Sequence, residues 1–437
     1  MARQSTKPSM ALALYRMLLW LATPFIFARL WWRGRREPGY RQRMAERFGA
    51  IDATGLDGVI WFHAVSAGEV IAAAPLVRRL AAHYPERVLL LTTMTPTGAE
   101  QAAALLGDVV THRYAPYDMT FAVQRFLQRL RPSVLILLET ELWPNLIHLT
   151  AARSIPIYLL NARLSARSAK GYGRIAALSK PMLAKLTHIS CQYPDHAQRF
   201  QALGVAAPRI SVTGNLKFDR SVPADLTQRC DELAHACLIE NQLIWLAAST
   251  HDGEESLLLD SFQRLRKQQP SLQLILAPRH PHRVADVEAL LKPLEYRSAR
   301  LSEILKAPLQ DSVDVILVDQ MGMLLPLYDL ADVAFVGGSL IEFGGQNPIE
   351  PALVGTPVIS GPHCFNFTEV VEKLVAVGAM YQVSTVQELV STLLELLNDP
   401  QLRARSGGAG RAETEANRGA SEKVAQQLIQ LIGDTAH

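Results

Sequence analysis

The stretch from Val59 to Thr92, VIWFHAVSAGEVIAAAPLVRRLAAHYPERVLLLT, decides the fold. It opens with a short apolar run, Val59–His63, and closes with another, Val88–Thr92. Between them Ala67–His83 carries a helical pattern. Two short apolar runs joined by a helix read as strand, helix, strand. Parallel sheets covered on both faces are built from that unit.

Outward from this stretch the unit recurs. Val134–Leu138, Ile155–Leu160, His188–Cys191 and Ile210–Thr213 read as further strands, with helical patterns such as Phe121–Leu130 between them. A second series follows at Leu243–Ala248, Leu272–Ala277, Val315–Val318, Val333–Gly337 and Pro357–Ser360. Phe218–Asn241 holds no strong strand and divides the two series, and Ala420–Ile432 reads as a closing helix. The expected fold is α/β, with two Rossmann-like domains in tandem over residues 48–219 and 220–437. The last helix is free to pack back on the N-terminal domain. No short-period repeat is visible, which argues against a solenoid.

About half of the 437 residues are apolar (49%) and the net charge is +3, as for a globular enzyme. A near-balanced charge argues against a nucleic-acid binder. Cys191, Cys230, Cys237 and Cys364 form no C-x-x-C pair and no zinc spacing. They read as small buried hydrophobes of a reducing compartment.

Residues 1–47 form an expected membrane anchor with a basic flank. The run SMALALYRMLLWLATPFIFARLWW, residues 9–32, is apolar but broken by Arg16, Pro24 and Arg29. Its longest uncharged piece, Met17–Ala28, is shorter than the roughly 20 residues that cross a bilayer. Arg33, Arg35, Arg36, Arg41, Arg43 and Arg47 follow, and no small-residue cleavage site does. Two readings stand. One is a short spanning anchor with snorkelling arginines. The other is a helix lying in the leaflet with its Trp rings at the headgroups. Both put the body on the cytoplasmic face. The plain alternative is an ordinary packed helix, although the basic run suits an anionic leaflet.

In open parallel sheets ligands bind at the carboxyl ends of strands, and tandem sheets form a cleft between those ends. His63-Ala64-Val65-Ser66-Ala67-Gly68-Glu69 follows the first strand. Glu69 there reads as a general base on a substrate hydroxyl, or simply as the far half of an S-x-x-E capping box. Glu139-Thr140-Glu141-Leu142-Trp143-Pro144-Asn145 places two acids at another strand end, as functional groups or as solvated loop acids. Asn161–Ser165 with Arg167, Ser168 and Lys170 reads as an anion-binding loop or a basic helix start. Gly214–Asp219 brings Lys217, either to a phosphate or sugar carboxylate or to the surface.

In the second series Ala248-Ser249-Thr250-His251 and Pro278-Arg279-His280-Pro281 are strand-to-helix turns. Arg279 suits bidentate capture of phosphate oxygens. Gly337-Gly338-Ser339 and Gly344-Gly345 permit close backbone approach of a ligand. Asn347-Pro348-Ile349-Glu350 reads as a helix start with Asn as N-cap, Pro at N1 and the acid at N3. No G-x-G-x-x-G follows the first strand and no P-loop is present, which argues against nicotinamide and ATP chemistry. No Asp-x-Asp follows a strand and no His/Cys set has metal spacing. No essential metal or other cofactor is expected, and the charge on a leaving phosphate falls to Arg, Lys and helix ends.

Taken in order, these segments resemble the 3-deoxy-D-manno-octulosonic acid (Kdo) transferases of lipopolysaccharide biosynthesis. The resemblance runs from Leu30–Arg35 through His63–Glu69, Thr92–Gly98, Glu139–Asn145, Asn161–Ser168 and Gly214–Asp219. It continues through Ser249–Glu255, Pro278–Pro281, Phe335–Ser339 and Asn347–Glu350 to Gly361-Pro362-His363. It implies the two-Rossmann GT-B architecture and inverting transfer of Kdo from CMP-Kdo to the lipid A precursor (lipid IVA) at the cytoplasmic face of the inner membrane. It also implies Glu69 as proton acceptor and Glu139 and Lys217 as transition-state stabilisers. Pro278, Arg279, Met321, Gly322, Met323, Asn347, Pro348, Ile349 and Glu350 match its CMP-binding segments. The family pattern at the Met321-Gly322-Met323 segment is Gly-Glu, so here Met323 stands in place of a carboxylate. Lys217 and Arg163 are the candidates for the Kdo carboxylate. The competing readings are a nucleotide-sugar epimerase or hydrolase of related fold, which needs no anchor, and a non-catalytic membrane scaffold, which needs no charged residues at strand ends.

Overall fold

A computed structural model describes residues 9–219, 222–239 and 242–434. Residues 1–8 of the expected anchor, and Arg220 and Ser221 at the expected boundary, lie outside the described residues. The chain divides into two compact units, Met1–Arg220 with Asn417–His437, and Ser221–Ala416.

The first unit holds β1 Ile60–His63, β2 Leu89–Thr93, β3 Thr111–Tyr114, β4 Val134–Leu138, β5 Ile157–Ala162, β6 His188–Cys191 and β7 Ile210–Val212. They form one parallel sheet in the order β3-β2-β1-β4-β5-β6-β7. Successive side chains in a strand point to opposite faces, and both faces are apolar here. Trp61, Leu135 and Leu137 enter one core layer, whereas Ile60, Phe62, Val134 and Ile136 enter the other. That is why these strands read as unbroken hydrophobic runs. The second layer is completed from the far end of the chain, by Ala420, Val424, Ala425, Leu428 and Ile432 of the helix Ala420–Asp434.

The second unit repeats the plan with β8 Leu243–Thr250, β9 Leu272–Pro278, β10 Ser298–Arg300, β11 Val315–Leu317, β12 Val333–Val336, β13 Val358–Ser360 and β14 Met380–Gln382. Its order is β10-β11-β9-β8-β12-β13-β14, also parallel. Trp245 and Ala247 face one core layer, and Ile244, Leu246 and Ala248 the other. In each sheet the winding reverses beside the first strand, between β1 and β4 and between β8 and β12. Such switch points are where doubly wound sheets open a crevice.

The sequence reading missed β3, β10 and β14, all at sheet edges. Each is short, and none carries an aliphatic run. The N-terminal segment also differs from its sequence reading. Met10–Arg36 is one continuous helix through Arg16, Pro24 and Arg29. Met10–Arg35 is long and apolar enough, by length and composition, to cross a membrane.

Candidate active site

In the first unit the candidate residues gather where β1 ends. The chain turns at Ala64–Ser66 into the helix Ala67–His83, with Ser66 as its N-cap. Ser66 Oγ accepts from Glu69 N at 3.5 Å and donates to Glu69 Oε1 at 3.0 Å. Val65 N donates to Glu69 Oε2 at 2.7 Å. A capping box therefore forms, its carboxylate reaching one residue beyond the cap. Glu69 is only 8% exposed. Burial pushes its pKa up to about 8, helped by the negative charges of Glu141 and Glu139 and opposed by the bonds from Val65 and Ser66. Cap and base are thus compatible: the cap holds the carboxyl in place, and its surroundings bring it into the range where a base works near neutral pH.

Glu139 follows β4, the neighbour of β1, with φ +52°. A non-glycine residue in this left-handed region is strained, and such residues concentrate at functional sites. Lys217 Nζ lies 2.8 Å from Glu139 Oε1. Lys217 is held by its backbone, whose N–H donates to Asn215 Oδ1 at 3.0 Å. Leu216 N donates to Asn161 Oδ1 at 3.0 Å, which ties this turn to the end of β5. Glu141 accepts from Trp143 Nε1 at 2.8 Å, and burial raises its pKa. The Trp143 ring meets His63 edge-on at 4.7 Å. His63 is fully buried, and burial lowers its pKa to about 3, so it stays neutral.

In the other unit a second group of polar residues gathers where β9, β8 and β12 end side by side. Pro278 closes β9, and Arg279 N donates to Thr250 O at 2.9 Å. His251 packs on Phe343 at 3.8 Å and meets Gln346 Nε2 at 3.1 Å. Burial, then the positive charges of His280, Arg279 and Arg283, push its pKa down to about 4. Asn347 Oδ1 accepts from Ile349 N at 3.0 Å. The helix begins one residue later than the sequence suggests: Ile349–Val354 is helical, Pro348 holds the cap position, and Glu350 is second in the helix. Ile349 is buried and Glu350 half-buried. Met321 is exposed, and Gly322 has φ +81°. Met323 is partly buried and packs against the core.

Glu254 received no role in the sequence reading. It is fully buried. Its carboxylate accepts from four backbone amides: His251 at 3.0 Å, Gly338 at 2.6 Å, and Ser339 and Leu340 at 2.9 Å each. One side chain thereby joins the turn after β8 to the turn after β12. The only sequence signal is an acid after Asp252-Gly253, where Gly253 has φ +91°. Arg163 is half-buried, whereas Arg167 and Lys170 are exposed on a helix, Ala166–Arg174, that buries no side chain.

Two doubly wound parallel sheets in one chain define a protein of the tandem-Rossmann class. Solved structures agree on the fold: the UDP-GlcNAc 2-epimerase of Neisseria meningitidis has a TM-score of 0.58 at 15% identity, over 85% of this chain and 99% of that one. A glycosyltransferase of Rickettsia africae has a TM-score of 0.52 at 12% identity, over 86% and 98%. The profile of the 3-deoxy-D-manno-octulosonic-acid transferases matches residues 42–220, and that of glycosyl transferases group 1 matches residues 240–413. A 3-deoxy-D-manno-octulosonic acid transferase of Haemophilus influenzae is 40% identical over 95% of this chain and 97% of its own length. One from Bordetella pertussis is 34% identical over 97% and 100%. The chain belongs to the 3-deoxy-D-manno-octulosonic acid transferase family of glycosyltransferases.

Proposed function

We propose that this transferase moves Kdo from CMP-Kdo to a hydroxyl of the lipid A precursor, with inversion, on the cytoplasmic face of the inner membrane. The observation that carries the mechanism is Glu69: a buried carboxyl at a switch point, raised to about 8, beside the Glu139–Lys217 pair. Glu69 takes the proton of the attacking hydroxyl. The new bond forms between that oxygen and the anomeric carbon of Kdo. The bond from that carbon to the CMP phosphate breaks, and its electron pair leaves with CMP. Lys217, steadied by Glu139, offers positive charge to the reacting sugar. Arg279 takes the growing phosphate charge, with Pro278, Met321–Met323 and Asn347–Glu350 forming the rest of the nucleotide site. At Met323 only a backbone contact can serve.

The test is mass spectrometry of purified protein given CMP-Kdo and tetra-acylated lipid A precursor, with EDTA present. An acceptor heavier by one or more Kdo units supports the reading and counts the units. Release of CMP without acceptor favours a hydrolase, a reading prompted by the likeness to an epimerase fold.

A further inference from the structure

The helix Met10–Arg36 has two apolar faces with different fates. Leu12 and Leu30 are buried, and Tyr15, Arg16, Leu19, Thr23 and Ile26 are half-buried between them. At about 100° per residue these seven fall on one stripe. That stripe is latched to the loops beyond β3 and β4. Tyr15 Oη donates to Asp118 Oδ2 at 2.8 Å, and Arg16 Nε donates to Asn145 Oδ1 at 2.8 Å. Both partners are built for this. Asp118 also accepts from Asn145 N at 2.9 Å and Leu146 N at 2.7 Å, and Asn145 is fully buried. Further along, Ile26, Arg29, Leu30 and Arg33 border a groove of about 250 Å³ against Met94, Thr95 and Tyr117.

The opposite stripe is bare. Leu14, Met17, Leu18, Leu21 and Phe25 are 52%, 53%, 54%, 65% and 78% exposed. Trp20, Trp31 and Trp32 flank it, also exposed, and Arg29, Arg33 and Arg35 stand exposed toward its end. Contacts at Leu12 and Leu30 are 18 residues apart, or roughly 27 Å of helix. That is nearly the ~30 Å of a hydrocarbon core. A helix fastened to the body over that length has no free stretch left to cross. Crossing would strip Asp118 of its tyrosine donor and carry Arg16 into hydrocarbon.

We propose that this helix lies along one anionic leaflet and does not span the bilayer. Its Leu14–Phe25 stripe sits in the acyl boundary, its Trp rings at the headgroups, and its arginines on lipid phosphates. The occupant of the bare face is thus phospholipid, by charge complementarity and Trp flanking. The loops beyond β3 and β4, Glu141 and Trp143 among them, are held next to the leaflet. The inference rests on the membrane association proposed above and adds the geometry.

The test places spin labels at Met17→Cys, Leu21→Cys and Phe25→Cys, one at a time, in the full chain. The native cysteines are buried. Each labelled protein, checked for CMP-Kdo turnover, is bound to vesicles of phosphatidylethanolamine and phosphatidylglycerol, and depth is read by collision with oxygen and a nickel chelate. The expected result is one common shallow depth. A spread of about 12 Å from Met17 to Phe25, eight residues along a crossing helix, would overturn the proposal. Labels shielded from lipid in a dimeric protein would also overturn it, since a second copy then covers the face. Failure to float with vesicles would sink membrane association itself.

Discussion

Lys217 Nζ lies 2.8 Å from Glu139 Oε1, although the two residues leave strands three places apart in the sheet, β7 and β4. Glu139 in turn is one of the negative charges that raise the Glu69 pKa. Glu139 thus contacts Lys217 directly and bears electrostatically on Glu69, the proposed base.

Replacing Lys217 by Ala is expected to lower kcat about 10²–10³-fold, the scale of losing one charged stabiliser of a transition state. The unscreened Glu139 should also lift the Glu69 pKa, moving the rise of kcat/KM to higher pH. A loss of rate with no movement of the profile would detach Lys217 from the base. Single-turnover rates across pH measure both.

For the unmodified enzyme, kcat/KM should rise with pH through about 8, as the Glu69 carboxyl gives up its proton. Glu69→Gln should lower turnover about 10²–10⁴-fold and abolish that rise. Stability carries the opposite sign. The folded-state pKa lies above the ordinary 4.5, so the protonated carboxyl favours the fold in acid. That contribution is lost as pH climbs from about 4.5 through about 8. Relative to wild type, the Tm of Glu69→Gln should therefore be higher at pH 9 than at pH 5, read by thermal denaturation on the ~pH scale that linkage sets.

Glu254→Gln turns an amide N–H₂ toward backbone N–H groups that need an acceptor. Loss of about 1–3 kcal/mol is expected, together with weaker CMP binding, because the turns after β8 and β12 lose their common tie. Urea unfolding and calorimetric titration with CMP separate the two effects. Unchanged CMP affinity in a folded variant would leave Glu254 a purely structural carboxylate.

Gly361 follows β13 so closely on Ser339 that a Cβ there would sit 2.1 Å from the Ser339 carbonyl oxygen. Gly361→Ala should cost about 1–3 kcal/mol through overpacking, visible as a lower urea midpoint, and should disturb the same turn that Glu254 holds.

Central strands were readable because a parallel strand buried on both faces is written in consecutive aliphatics, as in Val134–Leu138. The edge strand Thr111–Tyr114 was not, since its residues T-H-R-Y are polar and only one is buried. The cap formed by Glu69 was readable because Ser66 and Glu69 stand in one short motif. The Glu139–Lys217 pair was not, because it depends on where β7 docks in the sheet. Glu254 was hidden for a related reason: three of its four partners are amides 84 to 86 residues away. Docking of the first helix was also illegible. Apolar residues stand on both its packed and its exposed faces, and Arg16 reads as a break until Asn145 is found to hold it.

Asp219, two residues past Lys217, accepts from the backbone amides of Gly419, Ala420 and Ser421. The helix that starts there fills the core under β1 and β4. During synthesis the first unit therefore waits for the helix Ala420–Asp434 to emerge from the ribosome. The second unit, Ser221–Ala416, can mature as each of its segments emerges. Until that last helix emerges, part of the apolar layer against Ile60, Phe62, Val134 and Ile136 stays uncovered. A chain released early, short of Ala420, would lack that closing layer and be a ready substrate for proteolysis.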